Sequence, residues 1–320
     1  TCSGHIDDPL FDVQRAAPRV VLVGAQNILN TEATTPAAVQ YNAAYLLSGD
    51  GAQLYNANVE GKFYVGVMVG DLVGSDTNAI DDFVLDTGVI KGVYNRGVYT
   101  YLGVRVGRVS NMRVDGRDSG GSNYTQYAFN CNRSLPTALM GNISYIGNKA
   151  SNFVNHGFLV YSHNAVVSDL QLSGGSGSSY GFVLAGVSEI IKGNIAQGVN
   201  IDGSYIGIQT YQADGFHLDG FRLANTTAAA AQIFGCQDFG VSNFSAIKGT
   251  GGGEGIQIER DLGNGTTTSA RAASRGRFSS VGVRDFGAGH VGIDIANLGG
   301  AGADTMIFDN LHSTNQQYPV

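Results

Sequence analysis

The feature that most limits what this chain can become is a pair of short patterns that recur in step. The first reads apolar, Ser or Asp, Asn, Asp or Gly, apolar, any residue, apolar. It stands as Val109-Ser110-Asn111-Met112-Arg113-Val114 and as Val167-Ser168-Asp169-Leu170-Gln171-Leu172. It returns as Leu218-Asp219-Gly220-Phe221-Arg222-Leu223 and Val241-Ser242-Asn243-Phe244-Ser245-Ala246. Looser copies begin at Leu85, Ile143, Ile191, Phe278 and Phe308, so successive starts lie 24, 34, 24, 24, 27, 23, 37 and 30 residues apart. The second pattern is Gly, apolar, any, apolar, any, beginning at Gly157, Gly181, Gly207, Gly255 and Gly292, with Ala231 in place of the glycine in one copy. From Gly157, Gly181, Gly207 and Ala231 the first pattern follows after 10, 10, 11 and 10 residues.

Alternation of period two makes each segment a strand with one buried face. A spacing near 24 residues is too short for a strand–helix–strand unit of about 30. It fits one turn of a coil holding two or three short strands, each pairing with the turns above and below, with the inward residues stacked into one core. The Gly and Asn positions mark bends that need φ > 0. A leucine-rich repeat would need a regular leucine pattern that is missing, and a propeller blade needs about 40 residues or more.

At the N-terminal end, Thr35-Pro36 and the run Ala37–Leu47, stopped by Gly49, predict a helix over 36–47. Thr35 would be its N-cap and Pro36 its first turn. Val39, Ala43, Leu46 and Leu47 would share a face lying over the first coil and covering its open edge. The chain thus divides into an N-terminal segment with a capping helix, 1–50, and the coil, 51–320, whose residues 50–82 read as strands in poorer register. The chain opens on Thr1, which allows for residues removed upstream, and its last residues offer no cap, which leaves room for a further domain or a contact between copies.

Composition narrows the partners. A formal charge of −7 with scattered Lys and Arg argues against nucleic acid, which needs clustered cations. Charged residues are only 14% of the chain, but 43% hydrophobic content in short pulses argues for folding rather than disorder. No stretch has the length of a membrane-spanning helix, and no signal-peptide pattern opens the chain. Cys2, Cys131 and Cys236 have no metal-ligand spacing, and Cys131 and Cys236 read as small buried hydrophobes more readily than as a disulfide.

On these rungs, together with the cap-like helix, residues 83–320 resemble the pectate-lyase-like superfamily of right-handed parallel β-helices. Within it the chain is most similar to bacteriophage tailspikes that bind and depolymerise bacterial surface polysaccharide. The resemblance implies an all-β solenoid, a polysaccharide partner, a homotrimer and an extracellular or virion (phage tail) location. It specifies no chemistry, because no motif singles out one enzyme family.

The repeat also maps neighbours. The second and fourth residues after each glycine are expected to point outward: Tyr99, Leu159, Val183, Gln209, Ile233, Gln257 and Asp294, then Tyr101, Tyr161, Ala185, Tyr211, Gly235, Glu259 and Ala296. Tyrosine rings can take the C–H faces of sugars while amides bond their hydroxyls, so Tyr161, Tyr211, Gln209 and Gln257 are candidate substrate contacts. The alternative is that the tyrosines pack against a loop or a second subunit. Glycoside hydrolysis needs two carboxylates, and Glu259 and Asp294 fall on adjacent turns two residues out of step. Strand geometry puts their Cα atoms roughly 8 Å apart, in the range for inversion. A second set, Asp214, Asp238 and Asp261, follows the same strand. Asp214 above Asp238 would raise one carboxyl's pKa or hold Ca²⁺, unless these are plain turn aspartates. A lyase would instead use Tyr161 with His163, or Tyr211 with Arg260. His156 and His217 read as structural residues. Insertions at 115–130 and 262–276 swell two turns, and the second follows Glu259-Arg260-Asp261 directly, which favours that place for a site. The competing reading is a non-catalytic structural or adhesive fibre.

Overall fold

The computed structural model describes residues 11–13, 21–23, 27–30, 43–70, 80–101, 103–122, 125–132, 142–186, 189–247, 254–261, 271–296 and 306–318. Within them every regular element is a strand and every inter-strand ladder is parallel, apart from one antiparallel bridge between Asp261 and Arg271. No helix among the described residues is long and apolar enough to cross a membrane. The chain forms two compact units, Thr1–Leu159 and Val160–Val320.

In the first unit a sheet of short strands runs Phe11–Val13, Ala43–Leu47, Val65–Val69, Arg96–Thr100, Tyr127–Asn132. A second sheet of longer strands runs from Val21–Val23 and Asn27–Asn30 through Gln53–Gly61 and Phe83–Lys91 to Val106–Asp115, which in turn takes Asn142–Ile146 and Lys149–Ser151. The second unit repeats the plan. Its short strands are Tyr180–Ala185, Ile206–Tyr211, Ala229–Phe234, Glu254–Glu259 and Ile293–Ile295. Its longer ones end with Gly240–Ile247, Arg277–Val291 and Ile307–Tyr318.

The first sequence pattern is the bend in each long strand. Its third residue takes a left-handed conformation at Thr87 and Asn111 in the first unit and at Asp169, Gly220, Asn243, Ser280 and Asn310 in the second, with φ between 50° and 66°, and Asn56 and Gly198 hold the same place in rungs the pattern did not mark. The copies expected at Ile143 and Ile191 are out of register: the ladder sets Tyr145 beside Val109, and Ala196 beside Val167 and Leu218. Asn and Asp tolerate this region, and Gly has no Cβ to oppose it. The bends are also tied to each other by side chains. Asp86 accepts from Ser110 Oγ (2.8 Å) and Asn111 Nδ2 (2.9 Å), and Asp219 accepts from Ser242 Oγ (2.6 Å) and Asn243 Nδ2 (2.8 Å). The bonds from Ser242 and Asn243 hold the Asp219 carboxyl below its usual range. At Asp86 burial works the other way and is outweighed by the bonds from Ser110 and Asn111.

The glycine of the second pattern has a steric cause. A Cβ at Gly97 would lie 2.5 Å from Val114 Cγ1, at Gly181 2.7 Å from Ile201 Cγ2, at Gly207 2.1 Å from Leu223 Cδ2, and at Gly255 2.4 Å from Val283 Cγ1. Each glycine makes room for a branched side chain further along the chain and for the carbonyl of the next rung, which a Cβ would meet at 2.5 Å (Ala128), 2.6 Å (Gly207), 2.6 Å (Ala230) and 2.1 Å (Gly292) in turn. In the alanine copy the relation inverts. The register sets Ala230, not Ala231, beside Gly207, and Leu223 pairs with Ala246. Small faces small there, and both alanines are buried.

Two sequence expectations need correcting. Ala43–Leu47, the latter half of the expected capping helix, is a strand paired with Val65–Val69, and all five residues are buried. Alanine and leucine favour a helix locally, but a run buried on both faces of a parallel sheet overrides that preference. Residues 36–42, with Thr35, lie outside the described residues. Tyr99, Leu159, Val183 and Ala185, expected to face outward, are buried at 1% exposure or less, and Tyr99 packs in an apolar cluster with Ala43, Leu46, Val65 and Met68. Cys131 and Cys236 are buried and not disulfide-bonded, as their isolation in the sequence suggests, and burial pushes the Cys236 thiol up to about 12. Cys2 lies outside the described residues.

Candidate functional site

The outward face of the short-strand sheet opens in the second unit. Gln209, Gln232, Gln257 and Asp294 stand abreast on four successive strands, each half-buried. Their amides form a chain. Gln209 Nε2 donates to Gln232 Oε1 (2.9 Å), Gln232 Nε2 to Gln257 Oε1 (2.9 Å), and Gln257 Nε2 to Glu259 Oε1 (2.8 Å). Two residues further along, half-buried Tyr211, Phe234 and Glu259 form a second column, which Ala185, in register with Tyr211 but fully buried, does not extend. The two columns set amides beside the rings of Tyr211 and Phe234 and end at two carboxylates. Gln257 is the link between these, bonded to Glu259 and in register with Asp294.

The sequence alignment of this face slips by one residue at Ala231. The expected outward pair Ile233 and Gly235 is replaced by Gln232 and Phe234, because Ala230 occupies the glycine position and Ile233 points inward, 1% exposed. A slip of one residue exchanges the two faces of a strand. Matching glutamines would have found the register: the bonded pairs Gln209/Gln232 and Gln232/Gln257 are 23 and 25 residues apart, close to the repeat.

Beyond the strand ends lies a polar cluster. Asp214 stands in register with Gln237 rather than Asp238, and accepts from the Gln237 backbone N–H (2.9 Å). The expected pair of stacked carboxylates at Asp214 and Asp238 is therefore not formed. Each meets an arginine instead. Arg271 donates from Nη1 and Nη2 to Asp214 at 2.7 and 2.6 Å, with both side chains about six-sevenths buried. Arg275 grips Asp238 from Nε and Nη2 at 2.6 and 2.8 Å, and those bonds hold its carboxyl below the usual range. Asp261 accepts from Gln212 Nε2 (2.5 Å) and exchanges backbone bonds with Arg271 (2.8 and 2.7 Å). This bridge closes the insertion at its base, and residues 262–270 lie outside the described residues. Arg271 is the residue that sequence reasoning missed: its bond to Asp214 spans 57 positions and no repeat spacing marks it.

The remaining candidates fall in three places. Tyr161 and Tyr211 are half-buried at the ends of their strands, and Arg260 is exposed just past Glu259. His163 is 8% exposed and engaged on both ring nitrogens: Nδ1 accepts from the Lys192 backbone N–H (3.1 Å), so Nε2 carries the proton and faces Glu189 Oε1 (3.3 Å). Among the described residues no three His, Cys, Asp or Glu side chains converge as metal ligands.

No protein-family model matches the chain, and no curated protein does. Solved structures do. A mutant tailspike protein of E. coli bacteriophage HK620 in complex with a pentasaccharide matches with a TM-score of 0.53 at 13% identity, over 91% of this chain and 60% of that one. The A-module of the Azotobacter vinelandii mannuronan C-5 epimerase AlgE4 matches at 0.43 and 12%, over 97% and 86%. The periplasmic alginate epimerase AlgG matches at 0.40 and 9%, over 91% and 77%. The chain thus spans about 60% of the length of the tailspike. At this identity the tailspike likeness speaks to architecture, and with the parallel ladders and left-handed bends it shows that the chain has the parallel β-helix fold.

Proposed function

We propose that these columns line a trough in the second unit, that the protein binds a polysaccharide along it and that it cleaves the glycan there as an endo-acting glycosidase. The observation that carries this reading is the amide chain Gln209–Gln232–Gln257 ending on Glu259, with Asp294 abreast of Gln257. Amides in a row bond successive hydroxyls, and Tyr211 and Phe234 offer rings for the C–H faces of sugars. One carboxyl of the Glu259/Asp294 pair protonates the departing glycosidic oxygen while the other activates water on the opposite face of the ring. Gln257 orients Glu259, Tyr161 and Arg260 extend the contacts, and Asp214 and Asp261 shape the rim through Arg271 and Gln212. The likeness to a bacteriophage tailspike in complex with a pentasaccharide supports a glycan ligand; that the glycan is bacterial surface polysaccharide, that the working form is a homotrimer and that it acts on the virion or outside the cell are parts of the proposal carried by the sequence resemblance.

The test is incubation with bacterial capsules, lipopolysaccharides and plant or algal uronans, read by new reducing ends and by the ultraviolet absorbance of unsaturated uronates. Reducing ends without absorbance are expected, with Glu259→Gln and Asp294→Asn each slowing release by about a hundredfold or more. Absorbance would mean a lyase and direct attention to Tyr211 and Arg260. Silence across the panel from folded protein would leave the adhesive reading, and full activity in both variants would remove the carboxylate assignment.

A further inference from the structure

The first unit carries a cation whose setting the trough does not explain. Three arginines among the described residues are partly buried: Arg96, Arg105 and Arg271. Arg105 is bonded bidentately to Asp81 and Arg271 to Asp214. Arg96 meets no carboxylate among the described residues, and its buried Nε has no hydrogen-bond partner there. In a chain with 26 acidic and 19 basic residues, a sequestered guanidinium without an acid is unusual. Burying one costs free energy unless something bonds it.

Its surroundings are those of a sugar site. The guanidinium carbon lies 4.3 Å from the centre of the Tyr99 ring and 5.4 Å from that of Tyr127. The rings thus support the guanidinium while Nε stays buried, which leaves the outer Nη groups to meet an acceptor in its plane. Tyr64 and Tyr94 stand with ring centres 6.2 Å apart, and Asn95 Nδ2 donates to Tyr64 Oη (3.0 Å). Two buried acceptors, Asn95 Oδ1 and Asn130 Oδ1, have no partner among the described residues, and Asn130 sits beside Tyr99 in register, only 2% exposed.

We propose that this surface is a second glycan-binding site, and that it takes an acidic sugar whose carboxylate docks on Arg96. A carboxylate matches the fork of a guanidinium. The half-buried rings of Tyr64, Tyr94 and Tyr127 take the C–H face of the sugar, which a bare inorganic anion cannot supply. The trough of the second unit differs: its aromatic column ends on carboxylates, and its cation, Arg260, is exposed. The proposal does not depend on cleavage.

Binding is measured by calorimetry at two salt concentrations, on the full chain carrying Glu259→Gln so that turnover does not consume the ligand. The probes are oligomers of galacturonate, of mannuronate and of hyaluronan, each compared with its carboxyl-reduced form. At least one acidic oligomer should bind roughly tenfold or more tightly than its reduced counterpart, a preference that weakens with salt. Arg96→Gln should abolish the preference and Arg96→Lys should keep part of it, with thermal midpoints reporting that both variants fold. Equal binding of acidic and reduced forms, no binding of any acidic oligomer, or a preference that survives Arg96→Gln would each overturn the proposal. Failure of wild-type protein to release reducing ends would remove the cleavage reading and leave this one standing.

Discussion

Gly207 offers a direct test of how the coil closes on itself. A Cβ there would sit 2.1 Å from Leu223 Cδ2, 2.6 Å from the Ala230 carbonyl oxygen and 3.1 Å from Thr226 Cγ2. Its φ lies outside the left-handed region, so substitution by alanine is opposed by space and not by backbone conformation. Overpacking of this kind costs about 1–3 kcal/mol, offset by about 0.4–1 kcal/mol from the stiffer unfolded chain. Leu223→Ala alone, at a site 3% exposed, should cost about 2–5 kcal/mol through the void it leaves. The double variant should be more stable than the sum of the singles by about 1–2 kcal/mol, because the new methyl enters the space that Leu223 vacates. Recovery stays partial, since the Ala230 carbonyl remains. The natural Ala230/Ala246 rung already has this small-against-small arrangement. Equilibrium urea unfolding followed by circular dichroism supplies the three differences. Additivity within about 0.5 kcal/mol, or a neutral Gly207→Ala, would refute the steric account of the glycine repeat.

Three further outcomes are expected. Burial lowers the His156 pKa to about 4, with the ring stacked on Tyr127 5.1 Å away; a neutral histidine in the fold and an ordinary one near 6.5 in the unfolded chain means stability falls as pH drops from 6.5 towards 4. Between pH 7 and 5 the loss should be about 2 kcal/mol in urea titrations, and His156→Gln should flatten that slope. Asn111 has φ of 55° and bonds Asp86, so Asn111→Ala should cost about 1–3 kcal/mol and Asn111→Gly clearly less; equal costs in thermal and urea unfolding would show that the left-handed bend is not what selects asparagine. Arg271→Met should destabilise by about 2–4 kcal/mol because it strands Asp214, and Arg271→Met with Asp214→Leu should recover most of it, measured in the same titrations.

Much of the fold can be read from the residues. Period-two alternation identifies the strands, and Asn, Asp or Gly at the third motif position marks bends that do prove left-handed, because few side chains tolerate that conformation. The spacing of the copies implies stacked rungs, since hydrogen-bonded bend residues such as Asp86 and Ser110 are 24 positions apart. Glu259 and Asp294 on neighbouring strands, two residues out of step, also follow from the repeat alone.

What the tertiary structure alone decides is register and partnership. A strand's sequence shows two faces without saying which one its neighbour will turn inward, so Gln232 and Phe234 stayed hidden until pairing set Ala230 beside Gly207. Ala43–Leu47 has helical residues, and only burial on both faces between parallel neighbours makes it a strand. The clamp of Arg271 on Asp214 and the unpaired setting of Arg96 over Tyr99 and Tyr127 depend on where distant turns bring charge and rings together. Local periodicity specifies which way a chain bends at each step, while the meeting of residues many turns apart depends on the accumulated lengths of every loop between them.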